Sequence, residues 1–164
     1  MKLKVCITAL VLLALTGCAP GNSKPEAVTS GKPALTDEQA SEWQLMSGRW
    51  YGSQPTKDGG TKEELVDKLS DGTYQIVFRV THPEKDTRIS VEVGYWGMSG
   101  DIYFSIFRGW VRDNRLIQAD PSDPYHYDAY RIIRLNEELF EYQHVENGNR
   151  YILKRVPDNF QFPG

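Results

Sequence analysis

Between residues 48 and 156 the chain is a succession of short alternating stretches cut by turn residues, with no helical period among them. In the stretch 73–81, Tyr74, Ile76, Phe78 and Val80 share one face, and Gln75, Arg79 and Thr81 the other. Residues 89–95 repeat the pattern, with Ile89, Val91, Val93 and Tyr95 opposed to Ser90, Glu92 and Gly94. Further strands are expected over 48–53, 62–69, 102–108, 126–135, 139–146 and 150–156. Ser70-Asp71-Gly72, residues 82–86 and Ser99-Gly100-Asp101 turn the chain, as do residues 136–138 and Asn147-Gly148-Asn149, the last a strong hairpin signal. A long polar connection spans 112–124. Short connections favour antiparallel neighbours, and eight strands suffice to close a small barrel. The expected fold is all-β: a small up-and-down antiparallel barrel of about eight strands, preceded by one short helix. A membrane-spanning barrel fits poorly, because the strands carry Glu64, Asp67, Glu92, Arg131 and Arg134 without a lipid-facing aromatic girdle.

The helix is written in Thr36-Asp37-Glu38-Gln39, which has the form of a capping box with Thr36 as N-cap and Gln39 at the third helical position. Ala40, Trp43 and Met46 then share a face, and Gly48 is placed to end a helix over about 37–46. All 19 aromatic residues lie at Trp43 or later. Residues 19–35 hold Pro20, Pro25 and Pro33 among glycines and serines, a composition that cannot bury enough apolar surface to fold. Three parts follow: a leader over 1–17, a flexible tether over 18–35, and a domain over 36–164.

The leader begins with Lys2 and Lys4, continues as an apolar run over 5–15, and ends in Leu15-Thr16-Gly17-Cys18. Eleven residues reach only ~16 Å as a helix, against the ~30 Å of a bilayer core, so this is an export signal rather than a span. Leu15-Thr16-Gly17-Cys18 resembles the lipobox of bacterial lipoproteins. The resemblance implies cleavage before Cys18, a diacylglycerol on its thiol, and acylation (palmitate class) of the new amine, several chains together holding a protein firmly. Ala19, where an Asp resembles an inner-membrane retention signal, implies delivery to the outer membrane with a periplasm-facing or surface domain. Loss of Lys2 and Lys4 leaves 17 basic against 22 acidic side chains, which argues against a nucleic-acid partner. Cys6 leaves with the leader, so Cys18 is the one remaining cysteine and no internal disulfide supports the fold.

Gly48-Arg49-Trp50, at the exit of the helix, resembles the Gly-x-Trp motif that opens the barrel in lipocalins and related calycins. His126-Tyr127-Asp128-Ala129-Tyr130 resembles a loose form of the family's second motif, with His126 and Tyr127 standing where the family has Thr and Asp. Lys154-Arg155 is placed to supply the basic side chain of the last strand. The resemblance covers residues 36–156 and implies that Trp50 closes the barrel bottom, that Arg155 stacks on its ring, and that Gly48 is needed for positive φ or close packing. The residues that segment 157–164 offers do not write the family's usual following helix.

The alternation predicts Tyr74, Ile76, Phe78, Val91, Val93, Tyr95, Phe104 and Ile106 as inward. They either pack the barrel solid or line a cavity for an apolar or amphipathic ligand, with Tyr74, Phe78, Tyr95 and Phe104 as candidate contacts. The stretch 102–108 is apolar on both faces, so either the helix covers its outer face through Trp43 and Met46, or that face meets an envelope protein partner. No catalytic role is expected. His82, His126 and His144 lie in no metal spacing, although His126 and His144 fall on strands that could neighbour each other. Asp120, Asp123 and Asp128 surround Pro121 and Pro124 without the ligand order of a calcium loop, which reads as Asx turns. No nucleophile elbow, phosphate loop or zinc motif is present, and no cofactor or metal is expected. Two functions remain open: a lipid-anchored ligand-binding barrel, or a non-catalytic docking lipoprotein.

Replacing Cys18→Ser is expected to abolish metabolic labelling by palmitate and to leave a precursor that keeps residues 1–17. Unchanged labelling of that variant would show the motif to be incidental.

Overall fold

The computed structural model describes residues 35–163; the leader, Cys18 and nearly all of the tether lie outside them. Helix α1, Asp37–Met46, is capped as its sequence dictates. The Gln39 amide donates to Thr36 Oγ1 (3.2 Å), and the Thr36 amide donates to Gln39 Oε1 (3.0 Å). The helix ends where the Ser47 amide donates to the Trp43 carbonyl at 3.0 Å. Gly48 then takes φ +116°, and a Cβ there would meet Arg155 Nη1 at 2.5 Å, so the chain can turn into the first strand only through glycine.

Nine strands follow among the described residues: β1 Gly48–Pro55, β2 Thr61–Lys68, β3 Thr73–His82, β4 Lys85–Ser99, β5 Ile102–Arg112, β6 Arg115–Gln118, β7 Tyr127–Leu135, β8 Leu139–His144 and β9 Arg150–Arg155. Their order is β4-β3-β2-β1-β9-β8-β7-β5-β6, every pair is antiparallel, and β4 also pairs with β5. Eight strands thus close an antiparallel barrel, as expected. The additional strand, β6, extends β5 beyond the ring, within the connection expected to be irregular. It forms because Asp113 and Asn114 adopt φ of 50° and 59°, the left-handed pair of a tight hairpin turn.

Two faces are the reverse of the sequence expectation. Tyr74 faces Gly94 across the β3–β4 ladder and Ile76 faces Glu92, so Glu92, Gly94 and Trp96 point inward on β4 while Val91, Val93 and Tyr95 point outward. On β5, Tyr103 lies opposite Met98 and Ser105 opposite Trp96, which turns Phe104 and Ile106 outward. Tyr95 is 50% exposed and Phe104 36%. The alternation on these strands was correct in period but not in sense, because both of their faces carry large apolar residues.

The core sits at one end of the barrel, where α1 enters. Met46, Trp50, Phe140 and Leu153 are fully buried, joined by Val66, Tyr74, Trp96, Tyr103 and Tyr142. Trp43 stacks on Trp96 with centroids 4.2 Å apart and donates its indole N–H to the Ser70 carbonyl. The helix therefore plugs the barrel floor and does not cover the outer face of β5. Beyond β9 the chain runs across the outside of β1 to β3: Phe160 packs on Tyr51 (5.1 Å), and Arg79, paired with Glu63 at 2.6 Å, lies 4.7 Å from the Phe162 ring.

Trp50→Ala leaves a large cavity under the helix, and a loss of about 3–5 kcal/mol in chemical denaturation is expected. A loss below about 1 kcal/mol would mean that the floor does not rest on this ring.

Candidate functional site

The barrel interior is aromatic and polar rather than aliphatic. Cross-strand register carries Trp50, Gly52, Glu64, Val66 and Lys68 inward on β1 and β2, opposite Tyr74, Ile76 and Phe78 on β3. Tyr103 and Ser105 of β5 face Tyr130 and Asp128 of β7, and Tyr142 of β8 faces Tyr151 of β9. Five tyrosines therefore share the interior with Lys68, Glu64, Glu92, Asp128 and His144.

The lower half is solid. Tyr103 stacks on Tyr130 (5.3 Å) and meets Phe140 and Tyr142 edge-on (5.4 and 5.5 Å), while Tyr142 stacks on Phe140 (4.4 Å) and Tyr151 (5.1 Å). Within this packing Lys68 is 2% exposed. Its ammonium donates to Tyr103 Oη at 2.6 Å and lies 4.0 Å from the Tyr103 centroid, with the Trp96 and Phe140 rings at 5.6 Å. Burial disfavours the charged amine and brings it down to about 7, against the opposing pull of Glu64. Burial likewise raises Glu64 and Glu92, and the Asp128 charge adds to the rise of Glu92. The hydroxyls of Tyr74, Tyr103, Tyr130 and Tyr142 are all raised, first by burial, so each stays a neutral donor.

Toward the mouth the lining loosens. His144 Nε2 donates to Asp128 Oδ1 (3.1 Å), and Tyr130 meets the imidazole edge-on at 5.1 Å. Lys62 lies 4.2 Å from the Phe78 centroid, and Phe107 meets Trp110 and His126 at 4.6 and 5.0 Å. β1 and β9 are joined by only two register pairs, Trp50 with Arg155 and Tyr51 with Lys154. Above them the strands part, leaving a cleft of about 130 Å³ lined by Gln54, Glu64, Arg150 and Tyr151 that leads to the Glu64 carboxylate.

Of the residues singled out in the sequence, Tyr74 and Phe78 face this interior, whereas Tyr95 and Phe104 lie on the outer surface. Arg155 lies 4.1 Å from the Trp50 ring, with Gly48 beneath its guanidinium. His126 and His144 do not act together. His126 Nδ1 donates to the Asp120 carbonyl (2.8 Å) and faces Asp123, while His82 Nε2 donates to the Asp58 carbonyl (2.7 Å). Asp120 accepts from Ser122 and Asp123 from the Tyr125 amide, which makes this loop a pair of Asx turns. Among the described residues no group of three His, Cys, Asp or Glu side chains is placed to hold a metal. Sequence reasoning did not single out Lys68, Tyr103, Tyr130, Tyr142 or Tyr151. The inward placement of Lys68 and Glu64 with Val66 was readable only as an i, i+2 relation with an apolar residue.

Among solved structures, the chain is similar to a lipocalin-like protein from Bacteroides uniformis ATCC 8492, at 12% identity and a TM-score of 0.42, over 68% of this chain and 99% of that one. No protein-family model matches the chain, and no curated protein matches it in sequence.

Lys68 gives stability a definite pH dependence. Its folded pKa lies below the 10.5 of a free amine, so between pH 7 and 10 the unfolded state holds more protons than the folded one. Stability therefore rises with pH across that window. Above about pH 10 the unfolded tyrosines ionise before the buried ones, and the slope reverses. Urea midpoints of the wild type should climb from pH 7 to 9.5 and those of Lys68→Met should stay flatter; parallel profiles would contradict a depressed amine.

Proposed function

We propose that this protein is a lipid-anchored envelope lipoprotein whose barrel binds, rather than transforms, a small amphipathic molecule in its mouth half. The carrying observation is the composition of the interior. A barrel that only needed a core would fill it with aliphatic side chains, since buried charges cost several kcal/mol unless well paired. Here tyrosine hydroxyls, Glu64, Glu92, Asp128 and His144 converge above a packed floor, beside the apolar surfaces of Phe78, Phe107 and Trp110. Few polar groups set among aromatic walls is the usual make-up of a small-molecule site. The anchor rests on Leu15-Thr16-Gly17-Cys18 and its preceding leader, and the outer-membrane location on Ala19 after the cysteine.

Docking to another envelope protein is the second reading. It is favoured by Tyr125, 88% exposed, and by the exposed rings of Phe104 and Tyr127.

Native mass spectrometry of the protein purified from its own envelope is expected to find a small-molecule adduct, lost in Phe78→Glu. A clean unliganded mass in the wild type, together with no quenching of tryptophan emission by a brominated amphiphile, would overturn the ligand reading.

A further inference from the structure

A second concavity lies outside the barrel. It is a groove of about 350 Å³ across the outer faces of β3, β4 and β5, and its apolar walls are Leu69, Val93, Tyr95 and Leu116. Its size falls within the range of small-ligand sites. Leu69, Tyr95 and Leu116 are each half exposed, so the groove is open to solvent.

One cation looks into it. Arg108 lies between two rings, 5.6 Å from the centroids of both Tyr95 and Tyr127, and its Nη1 donates to Tyr127 Oη at 3.4 Å. Among the described residues Arg49, Arg79, Arg131, Arg134 and Arg150 each pair with a carboxylate, whereas Arg108, like Arg88, Arg112, Arg115 and Arg155, does not, and of these Arg108 alone lines the groove. The acid that lines the groove, Asp67, is not available to it. Both Asp67 oxygens already accept from Arg49, at 2.7 and 2.8 Å. The groove therefore presents an unbalanced positive charge on a chain whose net charge is -3.

Arg108 reaches this face through a distortion of the ladder. Val93 pairs with Gly109 and Gly94 with Phe107, so Arg108 is the extra residue of a β-bulge and its side chain is turned outward. Both flanking glycines are required. A Cβ at Gly94 would stand 2.1 Å from the Ile106 carbonyl oxygen, and one at Gly109 2.2 Å from that of Ile117. The bulge, the neutralised acid and the apolar walls all concern one spot.

We propose that this outer groove is a binding site for a free medium-chain carboxylate, whose head group pairs with Arg108 while its chain lies against Leu69, Val93 and Leu116. A planar guanidinium matches a carboxylate fork, and its tyrosine flanks limit the rotamer freedom lost on pairing. The site is separate from the barrel mouth and does not rest on the interior reading.

The test uses the full chain, decanoate below its micelle concentration, decanol as the uncharged control, and methyl NMR beside calorimetry. Decanoate should bind saturably and shift the methyl resonances of Leu69, Val93 and Leu116. R108Q should weaken that binding by about tenfold or more, the range expected for losing a charge-assisted pair, and leave decanol unaffected. F78E, which addresses the interior, should leave the decanoate-induced shifts of Leu69, Val93 and Leu116 as they are in the wild type, whatever it does to interior methyls. Decanoate binding unchanged in R108Q would overturn the proposal, as would shifts confined to interior methyls or binding lost only in F78E, which would move the ligand into the barrel. Absence of saturable binding, or an Arg108-dependent self-association in its place, would overturn it too.

Discussion

The guanidinium of Arg155 holds together the parts of the chain that would otherwise have separate fates. It lies over the Trp50 ring at 4.1 Å and donates to the carbonyls of Leu45, Ser47 and Glu137. Those carbonyls belong to the end of α1, to the link into β1, and to the β7–β8 turn. A last-strand side chain thus satisfies the orphan acceptors of the first helix, which has no basic residue in its own last turn. Trp50 completes the arrangement by donating its indole N–H to the Met46 carbonyl at 2.9 Å. Closure of the barrel floor, helix termination and the meeting of the first and last strands are one event.

Above that floor the interior balances charge against burial. Lys68 is accommodated by three aromatic rings and a tyrosine hydroxyl, an arrangement that replaces much of its lost hydration. Glu64, four residues earlier on the same wall, lies beside the cleft. The gradient runs from a dry cationic bottom to a wetter acidic rim.

Much of this architecture is legible in the residues. The Thr36–Gln39 box, the turns at Asp71-Gly72 and Gly100-Asp101 and the closing hairpin at Gly148 each encode local geometry, and each stands where the sequence indicates. Facing on β4 and β5 was not legible, because alternation assigns a sense only when one face is polar. Val91, Val93 and Tyr95 are more apolar than Glu92, Gly94 and Trp96, yet the latter point inward. The bulge at Arg108 then shifts the register within β5, which no period-two pattern reveals. β6 was hidden because Asp113-Asn114 lacks glycine and lies in an arginine-rich stretch. The interior tyrosines escaped notice for a simpler reason: a tyrosine on a strand is equally at home on either face.

The two-rung junction of β1 and β9 gives the cylinder an uneven stiffness. Around the floor every strand is clamped to both neighbours, but along this line the hydrogen-bonded wall stops at Tyr51 and Lys154. The barrel is in effect a split ring whose slit begins above the Trp50–Arg155 rivet, at the cleft beside Gln54 and Arg150. Bending such a ring open displaces the upper β1 and β9 edges without breaking a ladder bond or disturbing the aromatic floor. The rim is therefore the part of the cylinder that ladder bonds constrain least, while its base stays fixed, as in a spring collet with one rigid foot.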